Sequence, residues 1–175
     1  MALTYVALAT TTVNNSTTNK ISFNSIPGTY TDLQVLVSSR SDFTSNAYAQ
    51  LAMTFNNDGA PSIYFFRYVF GDGATASNGT GNTGRIVLYN NANSTTSNTF
   101  GSLSAYIPNY TGSNLKACNV DLVTENNGTT ALQFLYSAYW NRTDAITSLE
   151  LFPQGGSGFF IQNTTATLYG IKNTV

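Results

Sequence analysis

The sequence predicts an all-β chain: one antiparallel two-sheet β-sandwich, jelly-roll-like, over residues 1–175. Three observations predict it. Apolar and polar residues alternate with a period of two from end to end, and helical periodicity is nearly absent. Asn-Gly and Pro-Gly turn chemistry recurs between short β-branched and aromatic runs. No segment is long enough, or of the right pattern, to be a crossover helix.

The expected strands follow in order. Segment 3–13 follows a start with no basic n-region and runs into Thr10, Thr11 and Thr12, so it reads as a strand rather than a signal peptide. Synthesis without a signal peptide is the matching expectation. Segment 20–26 ends at Ile26-Pro27-Gly28-Thr29, which places Gly where a type II turn needs positive φ. In 32–39, Leu33, Val35 and Val37 alternate with Asp32, Gln34, Leu36 and Ser38, the pattern of a strand with one face buried. Segment 49–55 leads into Asn57-Asp58-Gly59, a hairpin-type connection, and then 62–70, rich in aromatics. A glycine-rich excursion, 71–84, is too poor in apolar atoms to pack alone. Strand 85–89 follows, then a polar connection at 90–98 with four Asn in nine residues. Long connections of this kind are contact surfaces or mobile. Segments 100–107, 115–124 and 131–140 come next, the last two joined through Asn126-Asn127-Gly128. Segments 146–152, 158–161 and 166–171 complete twelve strands.

Composition removes several function classes. Charged residues make up 9% of the chain, against roughly 25% in an ordinary soluble domain. Thr (26), Asn (21) and Ser (17) supply uncharged hydrogen-bonding groups instead. With no His, Ser-His-Asp and Cys-His catalysis and His-ligated metals are excluded. A single Cys excludes an intramolecular disulfide and Cys-rich metal sites. The net charge of −1 supplies no field for phosphates, so nucleic acid is not an expected partner. No apolar run approaches about 18 residues, so no membrane partner is expected either.

The motifs carry little catalytic chemistry. Gly79-Thr80-Gly81-Asn82-Thr83-Gly84 spells G-x-G-x-x-G, but it leads into a strand, whereas the dinucleotide-binding version opens a helix. The carboxylates Asp32, Asp42, Asp58, Asp72, Asp121, Asp144, Glu125 and Glu150 lie in ordinary turn and strand positions, with no embedded acid pair. Asp121 and Glu125 flank Val123 on an outward face. Loop Asp and Asn oxygens leave calcium open, without EF-hand spacing, and no cofactor is expected. Cys118 shares a face with Lys116 and, with no His to activate it, reads as a buried or half-buried small hydrophobe. The chain is therefore expected not to be an enzyme. The informative set is aromatic: Tyr64, Phe66, Tyr68 and Phe70 line one face of a strand, and Ile63, Phe65 and Val69 the other. One face must line the core. Tyr64, Phe66, Tyr68 and Phe70 are the candidate contact with another subunit or partner, with the 71–84 excursion reaching a neighbour. Tyr136, Tyr139 and Trp140 raise the same question.

Several segments resemble small virion proteins of tailed bacteriophages. At the start these are Ala9-Thr10-Thr11-Thr12-Val13, Ile21-Ser22-Phe23-Asn24-Ser25-Ile26-Pro27-Gly28-Thr29-Tyr30-Thr31-Asp32-Leu33 and Val35-Leu36-Val37-Ser38-Ser39-Arg40. At the end they are Ala145-Ile146-Thr147-Ser148-Leu149-Glu150-Leu151, Gly158-Phe159-Phe160 and Thr167-Leu168-Tyr169-Gly170-Ile171. The resemblance implies a β-sandwich of the virion: a capsid decoration (cement) protein, a head fibre or a tail-fibre tip. Because 175 residues used on one sandwich leave no stalk, the expectation is a decoration protein on the capsid exterior. It would bind the major capsid protein and stabilise the shell, as a homo-oligomer, a trimer at threefold positions. The alternative is a head- or tail-fibre module that binds a host surface glycan.

Overall fold

The computed structural model describes residues 4–128 and 131–172. Leu3 of the first expected strand, the far side of the Asn126-Asn127-Gly128 connection and the outer limits of the 1–175 domain lie outside the described residues. Among those described, the chain is all-β, with twelve strands and no helix. They are β1 (Thr4–Thr12), β2 (Ile21–Phe23), β3 (Asp32–Ser41), β4 (Tyr48–Phe55), β5 (Tyr64–Gly71), β6 (Ala76–Thr83), β7 (Ile86–Ala92), β8 (Gly101–Ile107), β9 (Lys116–Val123), β10 (Gln133–Trp140), β11 (Leu149–Gln154) and β12 (Thr165–Lys172).

The ladder has two antiparallel runs. One runs β1-β12-β3-β8-β9-β10-β5-β6. The other runs β2-β11-β4-β7. They join where Arg40 and Ser41, the end of β3, pair in parallel with Asn91 and Ala92 of β7. This corrects the expectation of purely antiparallel pairing. β3 outlasts its partners β8 and β12, whose pairings stop at Ser39 and Ser38; Arg40's backbone groups then turn to Thr164 and Ile161, and the alternation aims those of Ser41 toward β7.

Alternation decides which residues are inside. Leu33, Val35 and Val37 of β3, Cys118, Val120 and Leu122 of β9, and Phe134, Tyr136, Ala138 and Trp140 of β10 are buried. From the shorter run, Leu51, Met53, Phe55, Ile86, Leu88, Leu149 and Leu151 are buried too, and both sets belong to one core. Rings link the runs: Tyr89 of β7 stacks on Phe134 of β10 with centroids 4.8 Å apart, and Phe55 of β4 meets Trp140 at 5.9 Å. Each large side chain fully buried here contributes roughly 1.5–3 kcal/mol. A surface ion pair contributes about 0–1 kcal/mol, so the core dominates stability.

Several local expectations are corrected. The 71–84 excursion is mostly strand: Gly73 and Ala74 turn the chain, Gly73 with φ 87, and β6 then pairs with β5 along its whole length. Segment 158–161 is not a strand and contributes only isolated bridges from Phe160 to Thr18 and Ser41. Gly28 does not take positive φ, so its turn is not type II; Ser25 carries the positive φ instead, at 53. Asn56 and Asn57 form the turn after β4, with Asp58 N–H donating to Phe55 O at 2.9 Å. It is not a hairpin, because β4 pairs with β7 and β11 while β5 belongs to the longer run. The 90–98 connection is shortened by β7, which extends to Ala92.

Candidate functional site

The outer face of β6, β5, β10 and β9 presents side chains in register. One row across the strands is Asn78, Val69, Leu135 and Asp121; the next is Thr80, Arg67, Ser137 and Asn119; the third is Asn82, Phe65, Tyr139 and Ala117. Val69 is 55% exposed and Leu135 53%, an adjacent apolar pair facing outward. Two rows on, Phe65 and Tyr139 stack with centroids 4.9 Å apart and planes 7° from parallel. Grooves run along this face. The largest, about 890 Å³, lies between Val69, Leu135 and the Asp72–Gly73 turn. A second, about 670 Å³, is lined by Arg67, Asn78, Thr80 and Ser137, and a third, about 410 Å³, by Phe65, Asn82 and Tyr139. The face thus pairs apolar and aromatic patches with amides, hydroxyls, one cation (Arg67) and one carboxylate (Asp121), suited to a largely uncharged polar partner.

The structure corrects the choice of aromatic face. Tyr64 and Phe66 are buried, and Tyr64 O–H donates to Phe55 O at 3.3 Å while accepting from Phe55 N–H at 2.8 Å. Tyr68 and Phe70 are half-buried: Tyr68 lies 4.9 Å from Tyr136, and Phe70 stacks 5.0 Å from Phe134. All four therefore pack inward. The outward set is Phe65, Arg67 and Val69, and the signal for it was present, since Arg67 shares their parity. Leu135 gives no comparable signal, being one apolar residue between Phe134 and Tyr136.

Most carboxylates are occupied with local structure. Asp32 accepts from Tyr106 O–H and Asn109 N–H, both at 2.8 Å. Asp42 accepts from Ser157 N–H and Phe159 N–H, and Asp72 from Ala74 N–H and Thr75 N–H. The Asp72 bonds hold its carboxyl below the usual range. Glu125 accepts from Asn126 N–H and Asn127 N–H. Asp58 pairs with Arg142 at 3.1 Å, and Glu150 with Lys20 at 3.0 Å. Asp121 stands exposed beside Leu135. Among the described residues, no three His, Cys, Asp or Glu side chains gather to hold a metal ion, and no helix is long and apolar enough to cross a membrane.

No family model, curated protein or solved structure matches the chain. The outer face must therefore be read from its own chemistry.

Two buried cations act as structural posts that no local sequence pattern marks. Arg40 donates to the carbonyls of Asn93, Thr95, Thr96 and Thr99 at 2.7–3.2 Å, which ties down the connection after β7. Lys116 Nζ donates to the carbonyls of Gly112, Asn114 and Thr143. Burial lowers the pKa of each.

Proposed function

We propose that the chain is a structural protein of a tailed-bacteriophage virion: a jelly-roll-like two-sheet sandwich that decorates the capsid exterior, binds the major capsid protein and stabilises the shell. The observation that carries this reading is the outward apolar pair Val69 and Leu135, set in a groove on a charge-poor surface rich in amides and hydroxyls. Such a surface has little charge repulsion to keep copies apart, and it suits long-lived contact in a lattice. The sequence resemblance supplies the virion context. A closed homo-oligomer, threefold where it caps a capsid threefold position, belongs to the same proposal, and so does a non-catalytic role. The test is copy number per particle by quantitative mass spectrometry of virions that carry the chain. Hundreds of copies support decoration, and absence from the particle overturns the reading.

The stacked Phe65–Tyr139 pair favours a second reading, a fibre module that binds a host glycan. Aromatic faces beside Asn82, Thr80 and Ser137 offer apolar contact and hydroxyl-matching donors together. Under this reading, Tyr139→Ala abolishes retention on a glycan array, and copy number falls to a few dozen at most.

A further inference from the structure

We propose that β6 is a self-complementary edge through which two copies of this chain pair antiparallel about a twofold axis, extending the long ladder from one copy into the next. The inference concerns this edge alone and holds whether or not the chain belongs to a virion.

β6 ends the longer run, paired with β5 on one side only. The other terminal strands are poorer templates. β1 has a register shift between Ala7 and Ala9, and β2 is three residues long. By contrast, β6 spans eight residues, keeps one register against β5, and contains no Pro and no charge.

Hydrogen-bond phase determines what this edge offers. Asp72 N–H donates to Thr75 O at 3.2 Å, closing the hairpin as a hydrogen-bonded pair. Antiparallel ladders alternate, so Ser77, Gly79, Gly81 and Thr83 turn their backbone groups toward β5. Asn78, Thr80 and Asn82 turn theirs away, toward open solvent. These same residues also put their side chains on the outer face, in the rows of Val69, Arg67 and Phe65.

The sequence of that edge reads the same in both directions: Asn78-Gly79-Thr80-Gly81-Asn82, flanked by Ser77 and Thr83. A twofold axis at Thr80 sets Thr80 against Thr80 of the second copy and each Asn78 against Asn82. All three pairs fall on residues whose N–H and C=O groups are aimed outward, so phase and sequence agree on one register. Cross-strand Thr pairs form side-chain hydrogen bonds, and amide pairs can do the same. Gly79 meets Gly81, where no side chain can clash. This is the isologous geometry of a C2 contact. The nearest charge, Arg67, is one strand in from the edge, so the two copies' Arg67 side chains stand about three strand spacings apart, beyond the screening length in ordinary salt.

Edge pairing alone buries less than the ~1,600 Å² of a standard interface, so the contact is weak and concentration-dependent. Light scattering from about 0.1 to 100 μM should show a mass rising to an even number of chains. Asn78→Lys with Asn82→Lys sets like charges opposite each other and should weaken association by about tenfold or more. Asn78→Lys with Asn82→Glu has the same two altered positions but sets Lys opposite Glu, and should retain association. Thr80→Pro removes an N–H that does not serve β5, so the fold should survive by circular dichroism while association is lost. A monomer at 100 μM, a lone trimer, or equal association in all three variants overturns the proposal.

Discussion

Arg40 shows how a single side chain gives order to a polar loop. Its guanidinium supplies donors to the carbonyls of residues 93, 95, 96 and 99, and no other cation geometry satisfies as many carbonyls at once. Arg40→Lys should lower stability by about 2–3 kcal/mol, read as a fall in the urea midpoint, and speed amide exchange across the 93–99 segment. Unchanged exchange there would show that the loop holds itself. Acids with raised pKa govern behaviour in alkali, among them the buried Cys118, Tyr64 and Tyr136 and the partly exposed Tyr106. Burial pushes the Cys118 thiol up to about 12 from an ordinary 9.0. Burial, then the hydrogen bond to Asp32, pushes the Tyr106 phenol up to about 12 from 10.0. The folded chain therefore holds protons that the unfolded chain releases, so stability present at neutral pH is lost as pH rises from 9 toward 12. Cys118→Ala removes the thiol's share, and its thermal midpoint should hold nearly level to about pH 10 before falling. The packing role of Cys118 was legible from its residue type, in a chain with no His to activate a thiol. The role of Arg40 was not, because its partners are backbone carbonyls some 55 residues away, which no local pattern encodes.

Alternation located most strands to within a few residues. It failed at β6, whose Gly and Asn content is depleted in strands generally. The reason lies across the ladder. Phe66 pairs with Gly81 and Tyr68 with Gly79, and each ring lies over the glycine opposite, where a Cβ would enter its van der Waals envelope. The strand takes its apolar cover from its neighbour, so its own sequence reads as loop. Position 158–161 fails the other way: Phe160 is buried, but only isolated bridges hold it. Ring burial also ranks two otherwise identical substitutions. Phe66 is packed in the core and cannot swing aside, while Tyr68 is half-buried and can. Gly81→Ala should therefore cost about 1–3 kcal/mol in urea unfolding, and Gly79→Ala distinctly less. Pairing Gly81→Ala with Phe66→Leu should recover part of the loss. Equal costs at both glycines would mean that the rings do not set them.

At the scale of the molecule, the all-β class followed from composition and period, because one core drawn from inward-facing residues needs only alternation to specify it. The order of strands did not follow, since β3 alone pairs with β7, β8 and β12, and such choices depend on contacts remote in sequence. The scarcity of charge sets how the chain responds to salt. Its charges number 7 basic and 8 acidic, and among the described residues only Lys20–Glu150 and Arg142–Asp58 form ion pairs. Lys20 and Arg142 are partly exposed, so each pair contributes about 0–1 kcal/mol even in dilute buffer. Burial of apolar side chains is not screened by counterions, and neither are backbone ladders or amide contacts between copies. The urea midpoint should therefore be nearly the same in dilute buffer and at moderate NaCl, and, under the proposed decoration role, so should retention of the protein on particles. Release by moderate salt alone would place the binding energy in charges that this surface scarcely has. In that case the groove beside Val69 and Leu135 would not be the contact.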